Sequence, residues 1–332
     1  VELGLMALTQ HPSERDPGEC MMELVEQARA ASDRGFASLF VGEHHFTEDS
    51  YFDNFPTLAR ASAEVRDEMR VGTSVCLLPL HHPGLVAERA ATLDAITNGR
   101  FVLGAAAGYR DEEFEVLGID KADRAERLTE GVEVIRKLWT GDGASFHGDH
   151  FEFENLTSRP HPVQEGGPPI WLGGSAPSAV RRAATLGDAW IMDPVSQIDK
   201  LEKAVELYDR ETPTVPVCRP IRRDIYVAET SEEAVETAMP YLLDKFDSLT
   251  EWGIIDGGDT PTDDRERFEA VRQGRYIIGS PDRVVDELEA LNERLGVDHV
   301  IGRVQWPGMK HDRAMAAIDL LGREVRPRVE TL

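Results

Sequence analysis

Lysine is scarce in this chain: only six of its 36 basic residues are lysines, at positions 121, 137, 200, 203, 245 and 310, and the rest are arginines. Set against 61 acidic residues, this leaves a formal charge of −25. Such a balance excludes nucleic acid as a partner, because phosphate neutralisation needs clustered cations, and it disfavours an anionic membrane surface for the same reason. The acidity is spread over the chain, not gathered in a tail, as expected of a halophilic protein kept in solution by surface carboxylates. Cysteine is equally sparse. Cys20, Cys76 and Cys218 are far apart and odd in number, so neither a disulfide framework nor a cysteine-based metal site is indicated. No run reaches the roughly 18 uninterrupted apolar residues of a membrane span. The segment Val1–Gly4 does not begin a basic region followed by an apolar stretch, and a reduced cytoplasm is the expected location. The chain also lacks HExxH, a Walker-type loop and a Gly-x-Ser-x-Gly elbow, and no GxGxxG follows its first apolar run.

What is present is a repeating alternation within 332 residues that are 41% hydrophobic. Leu3–Leu8 reads as a strand. Glu19–Arg34 reads as a helix, with Met22, Val25, Ala28 and Ala31 recurring every three residues and Gly35 ending it. Strands follow at 39–42, 70–78, 101–107, 170–172, 189–192, 223–228 and 297–304. Helices fall at 55–65, 85–96, 124–139, 178–186, 198–208, 232–245, 282–295 and 312–323. Strand and helix alternating at roughly 30 to 35 residues per unit imply right-handed crossovers and a parallel sheet. Eight strands predict one (β/α)8 TIM barrel, a single domain over 1–332. Two interruptions are read as insertions: 141–169, with one short hairpin, and 248–275, polar enough for a mobile lid or a disordered acidic loop.

Three constellations fall where a barrel strand meets its following loop, the end at which barrel enzymes gather catalytic groups. Glu43-His44-His45-Phe46 puts two imidazoles and a carboxylate after the second strand. Histidine carries protons near neutral pH, and a carboxylate can fix its tautomer. Gly173-Gly174-Ser175-Ala176-Pro177-Ser178 leads from the fifth strand into a helix and suits a phosphate, through close backbone approach, hydroxyls and free helix-start amides. Gly104 to Gly108, with Tyr109 and Arg110, leaves room for a flat ligand and supplies a stacking phenol and an anion-pairing cation. His81-His82-Pro83 reads as a helix-start loop, and His147 and His150 as a solvated turn; no metal site is expected.

The ordered set Glu43-His44-His45-Phe46-Thr47-Glu48, Val71-Gly72-Thr73-Ser74-Val75, Leu78-Pro79, His82-Pro83, Asn98-Gly99-Arg100-Phe101, Gly108, Phe114, Gly118, Gly173-Gly174-Ser175 and Gly279-Ser280-Pro281 resembles the bacterial luciferase-like monooxygenase family. The resemblance implies a barrel binding reduced FMN or, in an archaeal branch, the deazaflavin coenzyme F420. It implies a phosphate over Gly173–Ser178, the flavin ring over Thr73-Ser74-Val75, and a non-proline cis peptide at Ser74-Val75. It also implies an acid/base role for His44, with Glu43 contacting the ring or orienting the histidine. Ala106 and Ala107 stand where the luciferase catalytic subunit has a reactive cysteine and an arginine, which speaks against light emission and leaves Arg110 or Arg181 as the phosphate's cation. The expected function is a monooxygenase acting on a small organic substrate with oxygen and reduced FMN from a separate flavin reductase. Deazaflavin-dependent hydride transfer is the alternative, and a non-catalytic flavin-binding partner subunit a further one. A metal-dependent or phosphate-sugar barrel enzyme is an outside reading, and a homodimer or higher oligomer is expected.

Overall fold

The computed structural model describes residues 1–213, 216, 218–258 and 260–331. Its strands and helices alternate as β1 (Glu2–Ala7), α1 (Pro17–Asp33), β2 (Ser38–Val41), α2 (Asn54–Ser62), β3 (Arg70–Thr73), α3 (Pro83–Ile96), β4 (Phe101–Ala105), α4 (Asp111–Leu117), α5 (Arg124–Thr140), β5 (Ile170–Gly173), α6 (Pro177–Leu186), β6 (Ala189–Ile191), α7 (Ile198–Glu211), β7 (Pro220–Val227), α8 (Ser231–Glu251), α9 (Asp264–Arg272), β8 (Tyr276–Gly279), α10 (Pro281–Leu295), β9 (His299–Arg303) and α11 (His311–Leu320). Local chemistry sets the boundaries. Asp16 caps α1 by accepting from the Glu19 amide, Pro17 occupies its first turn, and the chain leaves through Gly35 at φ 81°.

All the sheet's pairings are parallel. In register, Gly4 faces Ser38, Ser38 faces Arg70, Val71 faces Phe101, Leu103 faces Ile170 and Trp171 faces Ala189. Pro220 faces His299 and Glu2 faces His299. The circuit closes between β6 and β7, where the Met192 amide donates to the Pro220 carbonyl at 3.0 Å and the Arg222 amide to the Met192 carbonyl at 3.2 Å. The eight expected strands thus form the TIM barrel. Inside it, Met6, Phe40, Val102, Trp171, Ile191 and Ile301 pack together, with Phe40 and Trp171 stacked at 5.5 Å. This plug fills the barrel below its carboxyl-terminal mouth, so within the barrel the room for a ligand lies above it. Gly104 is required by close approach, since a Cβ there would lie 1.9 Å from the Thr73 carbonyl oxygen.

The structure corrects the sequence reading in three places. The third strand ends at Thr73, not Leu78, because the Ser74-Val75 peptide is cis and the chain then turns through Leu78–Leu80. The 248–275 segment, expected to be a mobile lid or a disordered acidic loop, carries helix on either side of an irregular stretch. α8 continues to Glu251, and α9 rests on it through buried Phe268 and the pairs Arg265–Glu232 and Arg267–Asp247. Finally, β8 is an unexpected ninth strand that pairs with the Asp224–Val227 end of β7, outside the closed circuit. The expected hairpin in 141–169 is present as Ala144–His147 against Glu152–Leu156. No helix among the described residues is long and apolar enough to cross a membrane.

Candidate active site

β2 delivers Glu43, His44 and His45 to the mouth, and the start of α4 fixes them there. The Glu113 carboxylate, on the first turn of α4 and without solvent exposure, accepts from His44 Nδ1 at 2.9 Å and from the His45 amide at 2.9 Å. Arg110 donates to the His45 carbonyl at 2.9 Å and lies 3.6 Å from Glu113. The peptide carrying the histidines is therefore gripped from both sides. Burial opposes ionisation of Glu113, but the hydrogen bond and charge of His44, the His45 amide and Arg110 outweigh it and hold the carboxyl below its ordinary range. An ionised Glu113 requires its partner Nδ1 to carry hydrogen, which leaves His44 Nε2 facing the mouth. There the Tyr109 hydroxyl lies 3.3 Å from Nε2, and the rings of Tyr51 and Tyr109 each stand edge-on to His44 at 5.5 Å. Burial pushes the Tyr109 phenol up, so it stays a donor.

Glu43 serves a second network. Its Oε1 meets His45 Nε2 at 2.9 Å and His81 Nε2 at 2.7 Å, and its Oε2 accepts from the Leu77 amide at 2.5 Å. Burial works against the charge, but those three donors hold the carboxyl well below its usual range. The hydrogen bond to Glu43 in turn raises His45. Glu43 therefore orients His45 and His81, not His44. Glu43, Cys76 and His81 bring ligand-type atoms within 4.8 Å of one another, yet both Glu43 oxygens already accept hydrogen bonds. Cys76 is fully buried, and burial with the Glu43 charge pushes its thiol far up, so it is no nucleophile.

The other expected residues divide into those that line the mouth and those occupied in holding it. Ser74 is buried with its hydroxyl unpartnered, and Val75 touches the position where a Gly173 Cβ would stand, at 3.5 Å. The ends of β3 and β5 therefore meet. Gly174 has φ 153°, its carbonyl accepts from Trp190 Nε1 at 2.9 Å, and a Cβ on it would lie 2.5 Å from Ala179. Beyond it the exposed Ser175 and Ser178 lead into α6, whose Ala176 cap makes no side-chain hydrogen bond. Among the described residues the amides of Ser175, Ala176 and Ser178 donate to no main-chain carbonyl. Thr73, by contrast, ties β3 to β4 through the Gly104 carbonyl at 2.7 Å, and Gly108 at φ 77° lets the turn lie on Phe114. Arg110 is engaged by His45 and Glu113, and Arg181 lies 3.7 Å from Glu211. Sequence reasoning missed Glu113 altogether. The signal was there: three acids, Asp111, Glu112 and Glu113, open a helix that Gly118 closes in the left-handed region.

Comparison with known proteins decides the family. Residues 1–299 match the family described as luciferase-like monooxygenase. The chain belongs to that family. It is 30% identical to the oxygenase component of a flavin-dependent trigonelline monooxygenase from Acinetobacter baylyi, an alignment covering 92% of this chain and 89% of that one. Its fold matches the monooxygenase RslO1 from Streptomyces bottropensis with a TM-score of 0.87 at 23% identity, covering 98% and 99% of the two chains. It also matches the coenzyme F420-dependent tetrahydromethanopterin reductase from Methanopyrus kandleri, with a TM-score of 0.78 at 19% identity over 99% and 100%. This luciferase-like chain is an oxidoreductase of the monooxygenase type, and its cofactor is a flavin. The donor set agrees with a flavin: a glycine cradle with free amides for a phosphate, and a buried hydroxyl without a partner beneath the mouth for a polar ring edge.

Proposed function

We propose that this chain is the oxygenase of a two-component system, taking reduced FMN from a separate flavin reductase and placing one atom of molecular oxygen into a small organic substrate at the barrel mouth. Bound there, the reduced flavin supplies the electrons that activate oxygen. The residues supply the rest. The amides of Ser175, Ala176 and Ser178, with the Ser175 and Ser178 hydroxyls and the start of α6, hold the phosphate, and Gly173 and Gly174 admit it closely. Thr73, Ser74 and Val75 support the ring from below, Thr73 through the main chain and Ser74 through its free hydroxyl. Gly108, Tyr109 and Arg110 form the facing wall.

His44 holds or delivers a proton at Nε2, its orientation set by Glu113 at Nδ1, and Tyr109 donates at the same place. Glu43 keeps His45 and His81 fixed behind it. The Trp252 ring at the end of α8 lies 6.3 Å from Tyr109 and 5.8 Å from the Arg110 guanidinium, closing that wall against water. The observation that carries this reading is the Glu113–His44–Tyr109 chain at a mouth where, among the described residues, the Ser74 hydroxyl is buried without a partner.

Four further features belong to the same proposal: a cytoplasmic location, a halophilic character, one catalytic unit over 1–332, and a homodimer through α2 and α3, where Leu85 and Ile96 leave apolar side chains in solvent. Equilibrium titration in molar KCl with reduced FMN, and separately with reduced coenzyme F420, tests the cofactor. Tight FMN binding with oxygen consumption supports the monooxygenase. Preference for F420 without oxygen consumption replaces it with a hydride-transfer enzyme.

A further inference from the structure

β7 carries three consecutive charged residues, Arg222, Arg223 and Asp224, through a strand that is otherwise buried. Charged side chains are rarely taken into a barrel wall unless paired or used. Arg223 points outward and is satisfied, donating to the carbonyls of Asp193 at 2.8 Å and Ser196 at 3.0 Å. The other two point inward. Arg222 is in register with Ile301, a member of the interior plug, and Asp224 is in register with Arg303 one layer nearer the mouth. In-register neighbours of parallel strands share a face, so Arg222, Asp224 and Arg303 all line the barrel's inside.

Asp224 is the one carboxylate in this group, and it is already used on both oxygens. Its Oδ1 accepts from Trp306 Nε1 at 2.8 Å and its Oδ2 pairs with Lys245. Arg303 is buried and donates only to the Gln305 carbonyl, at 3.0 Å. Arg222 makes no side-chain hydrogen bond or ion pair among the described residues, and its Nε is buried without a partner. Three cations against one anion leave about two uncompensated positive charges inside a molecule whose overall charge is −25. Arg222 and Arg303 lie within electrostatic reach of Tyr109, and Arg303 also of Tyr51, the two rings that stand edge-on to His44.

We propose that Arg222 and Arg303 form an anion seat in the barrel mouth, and that the substrate is a small organic acid whose carboxylate or sulfonate lies against them across from His44. This rests on the oxygenase reading of the site and deepens it. The seat takes the anionic group with charge-assisted hydrogen bonds that only Arg222 has entirely free. The carbon skeleton then lies over the Tyr51 and Tyr109 side of the mouth, toward His44.

The test is calorimetric titration of the FMN-loaded protein with benzoate, nicotinate, cyclohexanecarboxylate and benzenesulfonate, each against its own neutral amide. The expected result is that at least one acid binds roughly ten- to a hundredfold tighter than its amide. Arg222→Gln should abolish that preference and Arg222→Lys should keep part of it, with FMN affinity and melting temperature unchanged in both. Three results overturn the proposal: no acid binds better than its amide, the preference survives in folded Arg222→Gln, or Arg222→Gln weakens FMN and leaves the acids alone, which would assign the guanidinium to the cofactor. Failure of wild-type protein to bind FMN at all would instead remove the oxygenase reading.

Discussion

At the amino-terminal end of the barrel, His299 is fully buried between the Ser38 hydroxyl at 2.7 Å and the Arg70 guanidinium at 2.9 Å. At the carboxyl end, His45 sits against Glu43, and His44 against Glu113. The same residue type is embedded in polar networks at both ends, with opposite consequences. The Nδ1 of His299 faces both the Arg70 guanidinium and the Glu2 carboxylate, the latter at 3.1 Å, while its Nε2 meets Ser38. Burial and the Arg70 charge hold it below its ordinary basicity. His45 is raised by its carboxylate. The base network occupies both ring nitrogens of His299 with protein groups and is a structural tie, although among the described residues the Arg70 Nε is buried without a partner. In the mouth network, among the described residues, the Ser74 hydroxyl, Arg110 Nε and one Glu113 oxygen are buried without partners, and His44 Nε2 meets only the Tyr109 hydroxyl, at 3.3 Å. Barrels divide their labour in this way, stability below and chemistry above.

The sharpest way to break that contrast is to remove the mouth histidine. His44→Ala should lower turnover by about 10²–10⁴-fold, the usual contribution of a positioned acid/base group, with FMN affinity and melting temperature held. Glu113→Gln should give a smaller loss with a displaced pH profile, measured in the same steady-state assay. A comparable loss in His45→Gln with none in His44→Ala would reverse the assignment of the two histidines. Next in size is the cradle: Gly174→Ala forces a side chain into φ 153° and against Ala179, a strain of about 1–3 kcal/mol. FMN should bind roughly ten- to a hundredfold more weakly by fluorescence titration, and riboflavin, which lacks the phosphate, little differently.

The base should respond in the other currency. His299→Leu leaves Ser38 without its partner and Arg70 with Glu2 alone, and should cost about 1–3 kcal/mol in urea unfolding, with turnover per folded molecule unchanged. The smallest effect is in pH, where the two ends have opposite signs. His299 is depressed in the folded protein, so its contribution is full above its unfolded value, near 6.5, and is lost as pH falls below it toward the folded value. His45 is raised, so its contribution is full below about 6.5 and is lost as pH rises through its higher folded value. Stability curves of His299→Gln and His45→Gln against wild type should flatten on the acid and the alkaline side respectively. Flattening on the same side would show that the two ends are not distinct.

The barrel was legible because its strands are short apolar runs separated by amphipathic helices, and all eight lie near where the alternation puts them. Polarity misled at 248–275. Those charges are not the mark of a loop but the outer face of α9 and its pairs with α8, and only Phe268 and Val271 reveal the buried side. The short β8 strand was hidden in the approach to Gly279, and its pairing with the far end of β7 is set by tertiary geometry. In the site, His44 could be read from its place after β2, but the acidic start of α4 did not by itself say that Glu113 is its partner. Glu113 lies 69 residues away from His44, and the adjacent Glu43 was the natural choice by distance along the chain. The inward Arg222 was open to inspection as a charge in a barrel strand, and only the register with Ile301 tells which way it faces.

The account stands most directly on one measurement. Wild-type and His44→Ala protein, each loaded with reduced FMN, are mixed with oxygenated buffer and followed by stopped-flow absorbance. The account predicts equal FMN loading and a clearly altered reoxidation time course in the variant. Superimposable time courses, or wild-type protein that takes up coenzyme F420 in place of FMN and leaves oxygen unconsumed, would contradict it.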